Sequence, residues 1–170
     1  MKRGTPSWQK LYAKLAAQYS CIAGLDEAGR GPIAGPVVCA AVILERSLKL
    51  PGLDDSKLLT TKKRERLFEI IVKRCAHGIA VVDVSVIDSI GIRAACEQGF
   101  RSALQQLSPQ PDFLLIDGRD RLRLPIPFKT VVKGDQIVRA IAAASILAKV
   151  HRDRLMAEFG HHYPLYHFAK

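Results

Sequence analysis

Asp26 and Glu27 stand side by side inside an otherwise apolar run, CIAGLDEA over residues 21–28, and Asp117 closes another, DFLLID over 112–117. A carboxylate in a core strand carries a heavy desolvation penalty unless it is paired or bound to a cation. Strand ends in open α/β sheets face the crevice where ligands bind, so both positions can point into one site. Successive strand residues face opposite ways, so Glu27 joins Asp26 only if the strand bends, and the glycines at 29 and 31 would permit it. Asp135 follows Lys133-Gly134 at the start of a helix expected over 136–158, where it also reads as the N-cap. Oxygen donors with no cysteine or histidine beside them suit a hard cation, Mg²⁺ or Mn²⁺, better than zinc. Two such ions about 3.5–4 Å apart would activate a water and stabilise the leaving oxygen in phosphodiester hydrolysis.

These acids depend on the elements that carry them. Residues 21–28 and 36–44 (PVVCAAVIL) read as two strands joined through the turn Gly29-Arg30-Gly31-Pro32, a hairpin. Thr60 or Thr61 can cap a helix running to about Cys75, with Leu67, Phe68, Ile70 and Ile71 inward and Lys62, Lys63, Arg64 and Arg66 outward. A third strand fits 78–85, a helix 86–107 stopped by Pro109 and Pro111, a fourth strand 112–117 and a fifth 127–132. At 100° per residue the 136–158 helix places Asp135, Ala142, Lys149 and Asp153 along one side, flanked by Arg139 and Ser145. Ile137, Ile141, Ala144, Ala148 and Leu155 line the other side, so a polar stripe marks an apolar helix and suggests a cleft. The order implies an α/β fold, a mixed five-stranded sheet flanked by helices.

The 170 residues fit a single domain, and 26 Lys and Arg against 16 Asp and Glu, a net charge of +10, suit a polyanion such as nucleic acid. Cys21, Cys39, Cys75 and Cys96 show no C-x-x-C pairing, which disfavours zinc and a disulfide scaffold and fits reduced thiols in a cytosol. Trp8, Leu11, Tyr12, Leu15 and Tyr19 recur at helical spacing, making residues 1–20 an amphipathic N-terminal helix rather than a signal peptide. No apolar run approaches the roughly 18–20 residues of a membrane span, so no membrane partner is expected.

The string Leu25-Asp26-Glu27-Ala28-Gly29-Arg30-Gly31-Pro32-Ile33-Ala34-Gly35-Pro36-Val37-Val38 closely resembles the opening signature of the ribonuclease HII family. Further matches follow in family order: Asp55-Ser56-Lys57, Ile116-Asp117-Gly118, Lys133-Gly134-Asp135, and Ala143 to Val150 with Arg152-Asp153. The resemblance implies an RNase H-like fold whose four catalytic carboxylates, here Asp26, Glu27, Asp117 and Asp135, hold two divalent ions, Mn²⁺ or Mg²⁺. It implies Asp26 bridging the ions, Asp135 beside the nucleophilic water, and Glu27 and Asp117 on the leaving-group side. Gly29, Arg30 and Gly31 would contact the ribonucleotide and its 2′-hydroxyl, and Lys57, Ser145 and Lys149 are further substrate-binding candidates. Implied too are cleavage of the RNA strand of RNA/DNA hybrids and at ribonucleotides embedded in duplex DNA, with 5′-phosphate and 3′-hydroxyl ends. A cytoplasmic monomer serving ribonucleotide excision repair and DNA replication completes the expectation.

Two departures stand out. The residues end at Tyr166-His167-Phe168-Ala169-Lys170, before the family's lysine-glycine-tyrosine motif, so the family's C-terminal helical region is expected to be largely absent. Gly91 occupies a position where asparagine is expected, inside a helix where glycine costs up to about 1 kcal/mol relative to alanine.

Plainer readings compete. Asp117 could be a strand-end cap, Ser145 a packing residue, Lys57 and Lys149 solvated surface, and the whole chain a basic nucleic-acid-binding module or a junction resolvase. Gly29-Arg30-Gly31-Pro32-Ile33-Ala34 also fits a loose dinucleotide-binding pattern, but a β-branched run follows it where a helix should open. Arg119, Arg121 and Arg123 are expected on an exposed loop.

Overall fold

A computed structural model describes residues 6–45, 47–53 and 59–168, by backbone alone over 6–9. Helix α1 (Pro6–Gln18) leads into strands β1 (Ile22–Ala28) and β2 (Val37–Ile43), helix α2 (Thr61–Arg74) and strand β3 (Ala76–Val82). Helices α3 (Val84–Ile90) and α4 (Ile92–Gln105), strands β4 (Phe113–Asp117) and β5 (Phe128–Val131), and helices α5 (Gly134–Ile137) and α6 (Arg139–His162) follow. The sheet runs β3-β2-β1-β4-β5, antiparallel from β3 to β1 and parallel from β1 to β5. The mixed five-stranded sheet is the one expected from the order of elements.

Strand alternation sends Ala23 and Leu25 of β1 to one face, where they join Cys39, Leu114, Ile116 and the inner side of α4, Phe100, Ala103 and Leu104. The opposite face of β2, Val38, Ala40 and Val42, packs under α6 through Ala143, Ile146 and Leu147, and α2 closes that side with Leu67, Phe68 and Ile71. Leu15 of α1 adds a third cluster with Phe113, Leu115 and Val131, and Tyr19 stacks on Phe113 at 4.3 Å between centroids. Thr60 caps α2, its hydroxyl accepting from the Lys63 amide at 3.4 Å. No helix among the described residues is long and apolar enough to cross a membrane.

Gly24 is where α6 meets β1. A Cβ there would lie 2.2 Å from the Ala140 carbonyl carbon and 2.4 Å from the Ile141 nitrogen, both backbone atoms that no rotamer change can move. Gly24→Ala is therefore expected to force the helix off the sheet and to lower stability by about 3 kcal/mol, the upper part of the overpacking range. A urea midpoint shift at unchanged slope checks it.

Three expected boundaries are corrected. The helix expected over 86–107 is two helices, because Gly91 takes φ 80° and ends α3. The strand expected over 78–85 begins at Ala76 and stops at Val82, since Asp83 caps α3 by accepting from the Ser85 amide at 3.1 Å. The helix expected over 136–158 breaks at Val138, which is extended at φ −112° and ψ 115°, so α5 and α6 do not share one helical register.

Candidate active site

The parallel pairing of Leu25 with Ile116 brings Asp26 and Asp117 to the neighbouring carboxyl ends of β1 and β4. Asp26 is only 7% exposed, and its Oδ1 accepts from the Glu27 amide at 2.8 Å. The Ser145 hydroxyl of α6 donates to the same carboxylate. Burial, then repulsion from Glu27 and Asp117, pushes the Asp26 carboxyl well above its ordinary range. Burial also raises Glu27, against the opposing pull of Arg30. The regular pairing of β1 extends through Ala28 opposite Val38, so Glu27 reaches the site from a regular strand and no bend was needed to bring it there.

Asp135 arrives by a tight turn. Lys133 adopts the left-handed conformation, and the Gly134 amide donates to Asp117 Oδ1 at 2.6 Å. A Cβ at Gly134 would meet Ile141 Cδ1 at 2.6 Å, so the turn is pressed against α6 and Asp135 follows it, 5% exposed. The expected N-cap role is not found, since Lys133 precedes α5 and Val138 precedes α6. Nor do Asp135 and Lys149 share a continuous helical stripe, because the break at Val138 resets the register.

A cleft of about 470 Å³ opens over Asp26, Glu27 and Asp117 and is walled by Gly29 to Pro32 on one side and by Ser145, Lys149 and Arg152 of α6 on the other. Asp135 is not among the residues that line it. Lys149 Nζ pairs with Asp153 at 2.6 Å, and Asp153 also faces Arg64 at 3.8 Å. Arg30 sits 3.5 Å from Glu27 Oε1 and is paired with Asp120, which it holds below its ordinary pKa. Lys57 lies outside the described residues.

Arg152 is part of the family match in the sequence but carries no expected role in the site. The residue is 7% exposed, and its guanidinium donates from Nε to the Pro36 carbonyl at 3.0 Å and from Nη2 to the Ala34 carbonyl at 2.9 Å. Gly29, at φ 107°, would place a Cβ 2.5 Å from Arg152 Nε, so the loop between β1 and β2 is seated on this side chain. The signal was available: Arg152 is seven residues from Ser145, two helical turns along one face of α6.

Among the described residues no three His, Cys, Asp or Glu side chains are gathered tightly enough to enclose an ion alone. The donor set still fits a hard cation. Mg²⁺ is commonly held by one or two carboxylates, with water and substrate phosphate completing the shell, and Asp26 is a buried carboxylate that two further acids, Glu27 and Asp117, repel.

A family model described as Ribonuclease HII matches residues 23–169. The chain belongs to the ribonuclease HII family. It is 53% identical over 152 residues to a ribonuclease HII of Citrifermentans bemidjiense, covering 89% of this chain and 66% of that one. It is 49% identical over 156 residues to a ribonuclease HII of Halalkalibacterium halodurans, covering 91% of this chain and 59% of that one. The chain thus spans about two thirds or less of the length of these two relatives. The ribonuclease H2 of Pyrococcus horikoshii superposes with a TM-score of 0.74 at 28% identity, over 84% of this chain and 77% of that one. The RNase H-like fold expected from the ribonuclease HII resemblance is therefore present.

Proposed function

We propose that this chain is a metal-dependent endonuclease that cuts the RNA strand of RNA/DNA hybrids and cuts at ribonucleotides embedded in duplex DNA, leaving 5′-phosphate and 3′-hydroxyl ends. The observation that carries the reading is the group of carboxylates at one end of the sheet, Asp26 buried beside Glu27 and Asp117, in a cleft that a glycine-rich loop also lines. Asp26, Glu27, Asp117 and Asp135 would hold Mn²⁺ or Mg²⁺, and two such ions supply an activated water and a stabilised leaving oxygen.

The protein's own contribution is placement. Ser145 orients the Asp26 carboxylate by donating to it. The Gly134 amide fixes Asp117 from the other side. Gly29 and Gly31 let backbone approach the 2′-hydroxyl that separates RNA from DNA, while Arg152 holds their loop from beneath. Arg30 and Lys149, each paired with a carboxylate of the protein, would exchange that partner for substrate phosphate. Lys57 belongs with them as a phosphate contact. One catalytic unit spanning residues 1–170, acting as a cytoplasmic monomer in ribonucleotide excision repair and DNA replication, is the remainder of the proposal.

Product analysis tests it. With Mn²⁺ or Mg²⁺ a hybrid should yield fragments that a 5′-phosphate-dependent exonuclease degrades, and chelator or Asp117→Asn should stop the reaction. Cutting that persists in chelator, or fragments with 2′,3′-cyclic ends, would overturn the metal reading.

A further inference from the structure

Between β4 and β5 the chain leaves the carboxylates along residues 118–127, and burial alternates strictly with position there. Leu122, Leu124 and Ile126 are partly buried against the core cluster that includes Phe100 and Leu104, and Arg119, Arg121 and Arg123 are exposed between them. Alternation of this kind means extended backbone, with every second side chain on one side and about 6.6 Å between them. The loop therefore displays three guanidinium groups in a row, anchored from below by apolar side chains and starting one residue after Gly118, which itself follows Asp117.

Nearby acids leave the row uncompensated. Asp120 is taken by Arg30, and Arg93 and Arg119 are its more distant cationic neighbours. Glu97 gives Oε1 to Arg101 and Oε2 to the backbone amide of Arg123. Among the described residues, no carboxylate pairs with the guanidinium of Arg119, Arg121 or Arg123, whereas Arg64, Arg101 and Arg154 are each paired. The Glu97 bond to the Arg123 amide also pins the loop to α4, so the row is held at two points before anything binds.

We propose that Arg119, Arg121 and Arg123 form a phosphate track that carries one strand of a nucleic-acid duplex away from the carboxylate site. The track rests on the nuclease reading and adds to it the path of the bound strand. Guanidinium groups suit phosphate because of their planar, permanently charged donor fork. Three fixed cations at even spacing beside an electronegative cleft would keep the polyanion engaged where the carboxylates themselves repel it. The contacts read no base, so they should act alike on every sequence.

Binding of a fluorescent duplex carrying one ribonucleotide, followed by anisotropy in chelator over a series of salt concentrations, tests the track. Each phosphate contact contributes about 0.9 to the slope of log K against log salt for a duplex. Replacing Arg119, Arg121 and Arg123 together by Gln should therefore lower the slope by about 2.7, and each single replacement should lower it by about 0.9. Lys14→Gln, Lys73→Gln and Arg74→Gln combined remove the same charge from exposed positions on α1 and α2, at the opposite end of the sheet, and should change the slope by less than about 1. All six positions are exposed, and unchanged melting temperatures verify that the folds are intact. An unaltered slope in the loop variant, an equal fall in the control variant, or no salt-dependent binding by the unmodified chain would each overturn the track. Cleavage is read separately with Mn²⁺. A chain that binds through the row but does not cut contradicts the nuclease reading alone, and one that cuts with an unaltered slope contradicts the track alone.

Discussion

Asp26→Asn is expected to lower cleavage by about three orders of magnitude while raising the melting temperature of the metal-free chain. The loss follows from position: Asp26 is the buried carboxylate that Glu27 and Asp117 both repel, and a metal held there would lower the barrier by several kcal/mol, each 1.4 kcal/mol being about tenfold in rate. The gain in stability follows from the same burial. A carboxyl raised above its unfolded pKa takes up a proton on folding, so its stability contribution is present at low pH and lost as pH climbs through the folded value. Asparagine removes that loss while keeping an oxygen to accept from the Glu27 amide. The stabilisation should be visible at neutral pH and should fade as pH drops into the ordinary carboxylate range, where Asp26 is protonated folded or unfolded. Metal reverses the ranking. At about 100 times its dissociation constant, Mn²⁺ should stabilise the unmodified chain by about 2.7 kcal/mol, and Asp26→Asn by much less. Melting curves across pH, with Mn²⁺ and with chelator, check both halves. A variant less stable than the unmodified chain in chelator at neutral pH would show that Asp26 is a structural residue.

The second large effect belongs to Arg152, whose hydrogen bonds among the described residues go to the loop carbonyls of Ala34 and Pro36. Arg152→Met should keep most of the packing volume but remove both bonds to the loop, leaving the buried Pro36 carbonyl without its donor. An unsatisfied buried carbonyl costs about 1–3 kcal/mol. Part of that is offset because burial already disfavours the Arg152 cation, which it pulls below its ordinary pKa. The catalytic effect should be larger than the effect on stability. Gly29 to Pro32 wall the cleft, and a misplacement of about 1 Å at such a distance from the chemistry can cost about 100-fold. Metal binding should survive, since Asp26, Glu27, Asp117 and Asp135 are held by β1, β4 and α5 rather than by the loop. Calorimetric Mn²⁺ titration beside steady-state cleavage separates the two. Arg152→Lys, able to make one of the two bonds, should recover part of the rate. Loss of metal affinity in step with the rate would place Arg152 in the general fold instead of the loop.

How much of this was legible in the sequence depended on whether a signal was local. The apolar runs around Asp26 and Asp117 marked core strands, and acids inside them marked a site, because desolvation makes such residues rare without a function. The five strands and α2 followed from alternation and a threonine cap. The subdivision of the last helix did not, since Val138 is a β-branched residue in an alanine-rich stretch and nothing local shows that it is extended. The turn at Lys133-Gly134 is set by contact with Ile141 and Asp117, partners that only the tertiary structure supplies. Gly91 was conspicuous as a residue but was read within one long helix, and its positive φ shows that it separates two. Arg152 carried a helical-register signal that pairs it with Ser145, yet its partners are carbonyls more than a hundred residues earlier, which no spacing rule reports. Of the candidate site residues, Asp26, Glu27, Gly29, Arg30, Gly31, Asp117, Ser145 and Lys149 line one cleft, Asp135 does not, and Lys57 lies outside the described residues.

The most direct measurement uses two duplexes of the same sequence, one all DNA and one with a single ribonucleotide, incubated with the unmodified chain in Mn²⁺ or Mg²⁺ with Asp117→Asn in parallel. Cutting confined to the ribonucleotide strand, absent from the all-DNA duplex and lost in Asp117→Asn, is the expected result. Equal cutting of both duplexes, or cutting that Asp117→Asn retains, would contradict a ribonucleotide-directed nuclease built on these carboxylates.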